Sequence, residues 1–168
     1  MHFKKKVFYW SPCLNPVGTV KSTLNSAIAL SKYNKEYEVN VINVCGEWNK
    51  YLEKFKSNSI GIINLNFNYF KFLPKEGYLG SRISYIIIFL LSFFPLLNLI
   101  KKEQPNILIL HLITSLPLIL LKIFKLKTSF ILRISGYPKL NFLRKFLWKL
   151  SAKKLKMITS PTIELKNK

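Results

Sequence analysis

The sequence predicts an α/β fold, a Rossmann-like parallel sheet with helices on both faces. Two observations carry this. Short apolar, β-branched runs recur along the whole chain, and between them lie segments long enough to be helices. Parallel strands bury both faces and need crossover connections of about a dozen residues or more, and this alternation supplies them.

Taken in order, residues 7–11 form the first apolar run, closed by Pro12, and residues 12–18 are rich in turn formers. A helix follows: Thr19 is placed to cap it, and Val20, Leu24, Ala27, Ile28 and Ser31 fall on one face, with its end near Asn34. EVNVINV at 38–44 and the run at 60–65 read as the second and third strands. NILILH at 106–111 and SFILRI at 129–134 read as the fourth and fifth, with a helix at 114–124 between them, and 157–160 closes the series. Residues 162–168 have the composition of the opening turns of a further helix.

Residues 83–100 (ISYIIIFLLSFFPLLNLI) carry no charge and are flanked by Arg82, Lys101 and Lys102, which meets the minimum length of a membrane span. A span would put three strands on each side of a bilayer and divide the sheet. Ser84, Ser92, Pro95 and Asn98 also lower its hydrophobicity, so a helix packed on the sheet with one face at the membrane interface is expected. Residues 69–78 interleave aromatics with Lys71 and Lys75, a composition suited to headgroups. Over 140–154, Leu143, Phe146, Leu147 and Leu150 make an apolar stripe among Arg144, Lys145, Lys149, Lys153 and Lys154. Such a basic amphipathic helix packs its stripe on the sheet and solvates its charges, or lies against an anionic membrane surface; both can hold together.

The 27 Lys and Arg stand against seven acids, all Glu, for a formal net charge of +20. An anionic partner is implied. Only Arg82, Arg133 and Arg144 are arginines, which argues against sequence-specific nucleic-acid recognition. Cys13 and Cys45 have neither CxxC spacing nor nearby histidines, so reduced thiols in a cytoplasm are expected, without zinc or disulfide. The N-terminal MHFKKK leads into a strand-like run rather than a secretion leader.

Gly18, Thr19, Lys21 and Ser22 suggest a phosphate-binding P-loop, but Val20 and Asn15 stand where its glycines belong. What remains is a glycine at a strand-to-helix turn, where a helix N-terminus favours an anionic or polar ligand. His111 lies at the carboxyl end of a predicted parallel strand, the edge where open α/β sheets bind ligands. Arg133 ends the fifth run, and Ser135, Gly136, Tyr137 and Lys139 follow it in a loop expected at the same edge. With no Asp in the chain, neither a paired-carboxylate site, nor a Ser-His-Asp triad, nor a metal cluster can be assembled, and no catalytic residue is assigned.

Three segments in this order resemble the N-terminal domain of family-four glycosyltransferases over essentially the whole chain: NPVGTVKSTLNSAIALSK (15–32), KKEQPNILILHLITSLPLILL (101–121) and ILRISGYPKLNFLRKFLWKLSAKK (131–154). The resemblance implies a GT-B enzyme of the hexosyltransferase type, in which two Rossmann-like domains face each other and move a sugar from a nucleotide sugar to a lipid-linked or polysaccharide acceptor in cell-envelope glycan synthesis. It implies that residues 1–168 form the acceptor-side domain, that the donor-binding domain with its paired glutamates lies outside this sequence, and that the chain is inactive without it. By the same resemblance Gly18 approaches the donor's phosphate and sugar, His111 lines the cleft, and the loop from Arg133 to Lys139 shapes the acceptor side. The nucleotide sugar is a substrate, with no cofactor or metal, and the domain lies on the cytoplasmic face of the cell membrane. Many members carry a histidine where this chain has Ser135. The competing expectation is a catalytically inert protein of the same fold that binds a membrane surface or a partner subunit.

Overall fold

The computed structural model describes residues 4–15, 18–111, 115–134 and 142–160, and within them every side chain but those of Tyr78, Leu143, Arg144 and Leu147. The elements are β1 (Lys5–Trp10), α1 (Gly18–Tyr33), β2 (Tyr37–Asn43), α2 (Leu52–Ser57), β3 (Gly61–Asn64), α3 (Gly77–Glu103), β4 (Ile107–Leu110), α4 (Ser115–Ile123), β5 (Ser129–Arg133), α5 (Phe142–Ala152) and β6 (Met157–Thr159). Short 3₁₀ turns lie at Asn49–Tyr51 and Phe70–Phe72. All six strands are parallel, in the order β3-β2-β1-β4-β5-β6. The expected α/β, Rossmann-like architecture is therefore the observed one.

Its centre is β1, where Val7 pairs with Val39 on one side and Ile107 on the other. Strand side chains alternate between faces. Val7 and Tyr9 pack with Val20, Leu24 and Ala27 of α1 and Phe55 of α2, while Phe8 and Trp10 pack with Ile88 and Leu96 of α3 and Leu118 of α4. Both faces of β1 are closed, which is why its residues are apolar at consecutive positions.

Several expectations shift in detail. Helix α1 begins at Gly18, so Thr19 sits inside its first turn rather than capping it. Its buried face is Val20, Thr23, Leu24 and Ala27, and Ser31 lies at the edge, donating to the Asn58 carbonyl at 3.0 Å. Helix α2 has no counterpart in the sequence reading: it is six residues long with only Phe55 buried, too short for a period to emerge. Helix α3 is longer than its uncharged core and stops where Gln104, at φ 43°, donates to the Ile100 carbonyl at 3.0 Å before Pro105. The strands it joins, β3 and β4, belong to one sheet.

The stripe of α5 corrects its expectation. Phe146 and Leu150 are exposed, and the helix instead sets Trp148 against the core and buries Ser151, whose Oγ donates to the Leu118 carbonyl at 3.3 Å. A small residue there lets α5 approach α4 closely. Lys153 and Lys154 lie past the end of α5, and Lys154 Nζ reaches the Leu121 carbonyl at 3.5 Å.

Candidate functional site

A doubly wound sheet opens a crevice where its strand order reverses, beyond the carboxyl ends of the strands. Here that point lies between β1 and β4. The chain leaves β1 toward α1 and leaves β4 toward α4, so Gly18, Thr19 and His111, remote in sequence, converge on one edge. Two hydroxyl contacts seat α1 there: Ser11 Oγ and Thr23 Oγ1 are 3.1 Å apart, and Tyr9 OH and Ser26 Oγ 3.0 Å.

Gly18 opens α1 and is exposed; a Cβ built on it meets nothing within 4 Å. Among the described residues nothing demands glycine at this position. Beside it the Thr19 hydroxyl is buried without a hydrogen-bond partner among the described residues. The same holds for His111 Nε2, on a residue only 1% exposed whose backbone N–H donates to the Trp10 carbonyl at 2.8 Å. Burial first, and the Arg133 charge second, push the imidazole down to about 4, so it is neutral near pH 7.

Arg133 ends β5 half-buried, over a groove of about 360 Å³ lined by Ser26, Ile109, Ile131, Met157 and Thr159. Its charge also bears on Tyr9, whose hydroxyl pKa is raised chiefly by burial. Arg133 thus joins the switch-point group. Ser135, Gly136, Tyr137 and Lys139 lie outside the described residues, as does the Arg144 side chain. Lys145 and Lys149 are exposed on α5.

Sequence reasoning missed the turn after β2. Glu47, 2% exposed, accepts the Val44 and Cys45 N–H groups at 3.0 and 2.8 Å and the Cys45 thiol at 3.3 Å. Asn43 accepts the Trp48 N–H at 3.1 Å and donates to Asn49 and Asn64, both at 2.8 Å. Burial raises the Glu47 pKa, and burial with the nearby Glu47 charge pushes the Cys13 thiol up to about 12 and raises Cys45 as well. Neither thiol is a nucleophile near neutral pH. The sequence signal was slight: an acid directly after a glycine at a strand end. Gly46 has φ 103°, and a Cβ there would collide with the Asn68 amide. Gly46→Ala is accordingly expected to cost about 1–3 kcal/mol, read as a lower thermal midpoint.

No protein-family model matches the sequence, and no curated protein sequence matches it. Among solved structures, the chain is similar to MurG of Acinetobacter baumannii, with a TM-score of 0.56 at 11% identity over 94% of this chain and 42% of that one. It is also similar to CalG4, the calicheamicin glycosyltransferase, with a TM-score of 0.53 at 10% identity over 91% and 38% of the two chains. The chain spans about two fifths of the length of these structures. The likeness is one of fold, that of a domain from a GT-B glycosyltransferase.

Proposed function

We propose that this domain is the acceptor-side half of a family-four glycosyltransferase, moving a hexose from a nucleotide sugar to a lipid-linked or polysaccharide acceptor in cell-envelope glycan synthesis. The observation that carries it is the pair of buried polar atoms, Thr19 Oγ1 and His111 Nε2, that have no hydrogen-bond partner among the described residues, at the switch point of a GT-B-like fold. A buried polar group left unpaired costs about 1–3 kcal/mol, and a sugar hydroxyl or phosphate oxygen in the crevice removes that cost. Three features suit such a ligand. The N-terminus of α1 carries the equivalent of roughly half a positive charge toward the open space at Gly18, where a phosphate is favoured. Neutral His111 hydrogen-bonds a sugar hydroxyl without competing for the anion. Arg133 offers its guanidinium to an anionic group of the acceptor.

In the reaction the acceptor hydroxyl oxygen forms the new bond to the sugar's anomeric carbon, the bond from that carbon to the phosphate oxygen breaks with its electron pair going to the departing nucleotide phosphate, and that phosphate takes up the hydroxyl proton. The nucleotide sugar is consumed as a substrate, and the reading needs no metal or further cofactor. A facing donor-binding domain supplies the nucleotide pocket, and the acceptor-side domain works at the cytoplasmic face of the membrane. The test is transfer of label from nucleotide sugars into lipid or polymer, with this chain alone and paired with a donor-binding domain. Transfer that needs both, and that His111→Ala abolishes in a folded chain, supports the reading. Vesicle binding without transfer in any pairing favours an inert surface protein instead, a reading for which the exposed apolar face of α3 speaks.

Gly18→Ala separates function from fold. Since the added methyl meets nothing and the position is helical, stability is expected to hold or rise by up to about 1 kcal/mol in a thermal melt. Binding of the phosphate-bearing ligand, read by calorimetry, is expected to weaken roughly tenfold because that methyl enters the space ahead of the helix.

A further inference from the structure

Residues 64–70, NLNFNYF, alternate amides with apolar and aromatic side chains where the chain leaves β3. This turn is firmly tied down. The Leu65 N–H donates to the Asn43 carbonyl and the Phe70 N–H to the Cys45 carbonyl, both at 2.9 Å, the Asn66 amide donates to Ser92 Oγ at 3.2 Å, and Tyr69 and Leu73 enter the core. On this frame two rings stand outward. Phe67 is 71% exposed and Phe72, at 84%, is the most exposed large apolar side chain among the described residues; neither belongs to a core cluster. Phe67 is held against Tyr69, with ring centroids 5.2 Å apart, while Lys75 Nζ sits on the Phe70 ring, 3.8 Å from its centroid. Asn68, between the two rings in sequence, is exposed; its amide lies over Gly46, which has no Cβ to exclude it, and makes no hydrogen bond among the described residues.

We propose that this turn is a saccharide platform, on which the Phe67 and Phe72 rings stack against the C–H faces of pyranose rings while the Asn68 amide hydrogen-bonds a sugar hydroxyl. The pairing of ring and amide is what selects the ligand. A pyranose has apolar C–H faces and a rim of hydroxyls, so it satisfies both side chains at once. An acyl chain would cover the rings and leave the amide desolvated and unpaired, at a cost of roughly 1–3 kcal/mol. Topology then fixes the direction in which a glycan runs. All six strands are parallel, so the turn after β3 lies at the same edge as His111 after β4, and the order β3-β2-β1 sets it two strand spacings, roughly 10 Å, from the exit of β1. A short run of linked pyranose rings covers that length, with one end at the switch point and the other on Phe67 and Phe72. Because the turn is tied to β2 and α3, little ordering remains to be done on binding. That the bound glycan is the acceptor rests on the sugar-transfer reading; the platform rests on the turn itself.

The experiment is to probe a microarray of lipid-free glycans with the tagged chain and to titrate the best-retained glycan in free solution. Retention of linear pyranose glycans is expected. Phe67→Ala and Phe72→Ala should each weaken the titrated affinity roughly tenfold, and Asn68→Ala several-fold. Thermal midpoints of the two ring variants should stay within about a degree of wild type, since both side chains are exposed. The platform is overturned by an array that retains no glycan, by affinities that the three substitutions leave unchanged, or by ring variants that lose binding to phosphatidylglycerol vesicles while glycan binding holds. Transfer assays separate the platform from the sugar-transfer reading. Glycan binding without transfer in any pairing leaves the platform standing and rejects that reading. Where transfer is found, Phe72→Ala should raise KM for long acceptors about tenfold, with the loss falling on KM rather than on kcat. Equal KM values for long acceptors in wild type and Phe72→Ala would leave sugar transfer standing and overturn the platform.

Discussion

Acidification from neutral pH to about pH 4 is expected to remove roughly 3 kcal/mol of stability through His111 alone. Its folded pKa, about 4, lies below the ordinary 6.5, so the unfolded chain binds the extra proton first. The contribution is complete above 6.5 and is lost as pH falls through 4. Burial is the larger cause and Arg133 the smaller, so Arg133→Gln should move the lower end of this window upward without abolishing it. His111→Asn should flatten the limb. Urea denaturation at several pH values measures both, and a wild-type profile that is flat between 6.5 and 4 rejects the assignment.

Replacement of Glu47 by alanine is expected to cost roughly 2–4 kcal/mol at neutral pH, because it orphans the buried N–H groups of Val44 and Cys45. The pH dependence has the opposite sign to that of His111. Burial raises the Glu47 pKa above the ordinary 4.5, so its contribution is fully present below that value and declines as pH rises through the raised one. Glu47→Gln should remove this decline while restoring only part of the turn, since the amide keeps one acceptor oxygen and its nitrogen accepts from neither N–H group. A thermal midpoint of Glu47→Ala within about a degree of wild type, where the expected cost corresponds to several degrees, rejects the role.

The elements were legible because strand and helix leave different marks. Apolar runs such as VNVINV and NILIL mark strands enclosed on both faces, and the glycine and proline between 12 and 18 mark the exit from β1. The sequence also set the uncharged stretch 83–100 against a continuous sheet, and the strands on either side of it, β3 and β4, do belong to one sheet. What failed was local. The stripe of α5 left packing on the sheet and an outward face both open, and Phe146 and Leu150 face outward, because periodicity tells which residues share a face and not which face wins the contact. Glu47 went unread, since a single acid carries no pattern from which burial can be inferred.

The sequence by itself determined the α/β class, the number of strands, the excess of positive charge and the residue types available for chemistry, because these follow from local composition and period. Only the tertiary structure decided the strand order, and with it the reversal between β1 and β4 that brings Thr19 and His111 to one crevice and leaves Thr19 Oγ1 and His111 Nε2 without a hydrogen-bond partner among the described residues. It alone turned Ser84 and Ser92 of α3 inward, away from exposed Leu79, Ile83, Ile86, Leu90 and Phe94. Pairing across the sheet and choice of helix face depend on contacts between residues distant in the chain, and those contacts form only when the whole layer closes.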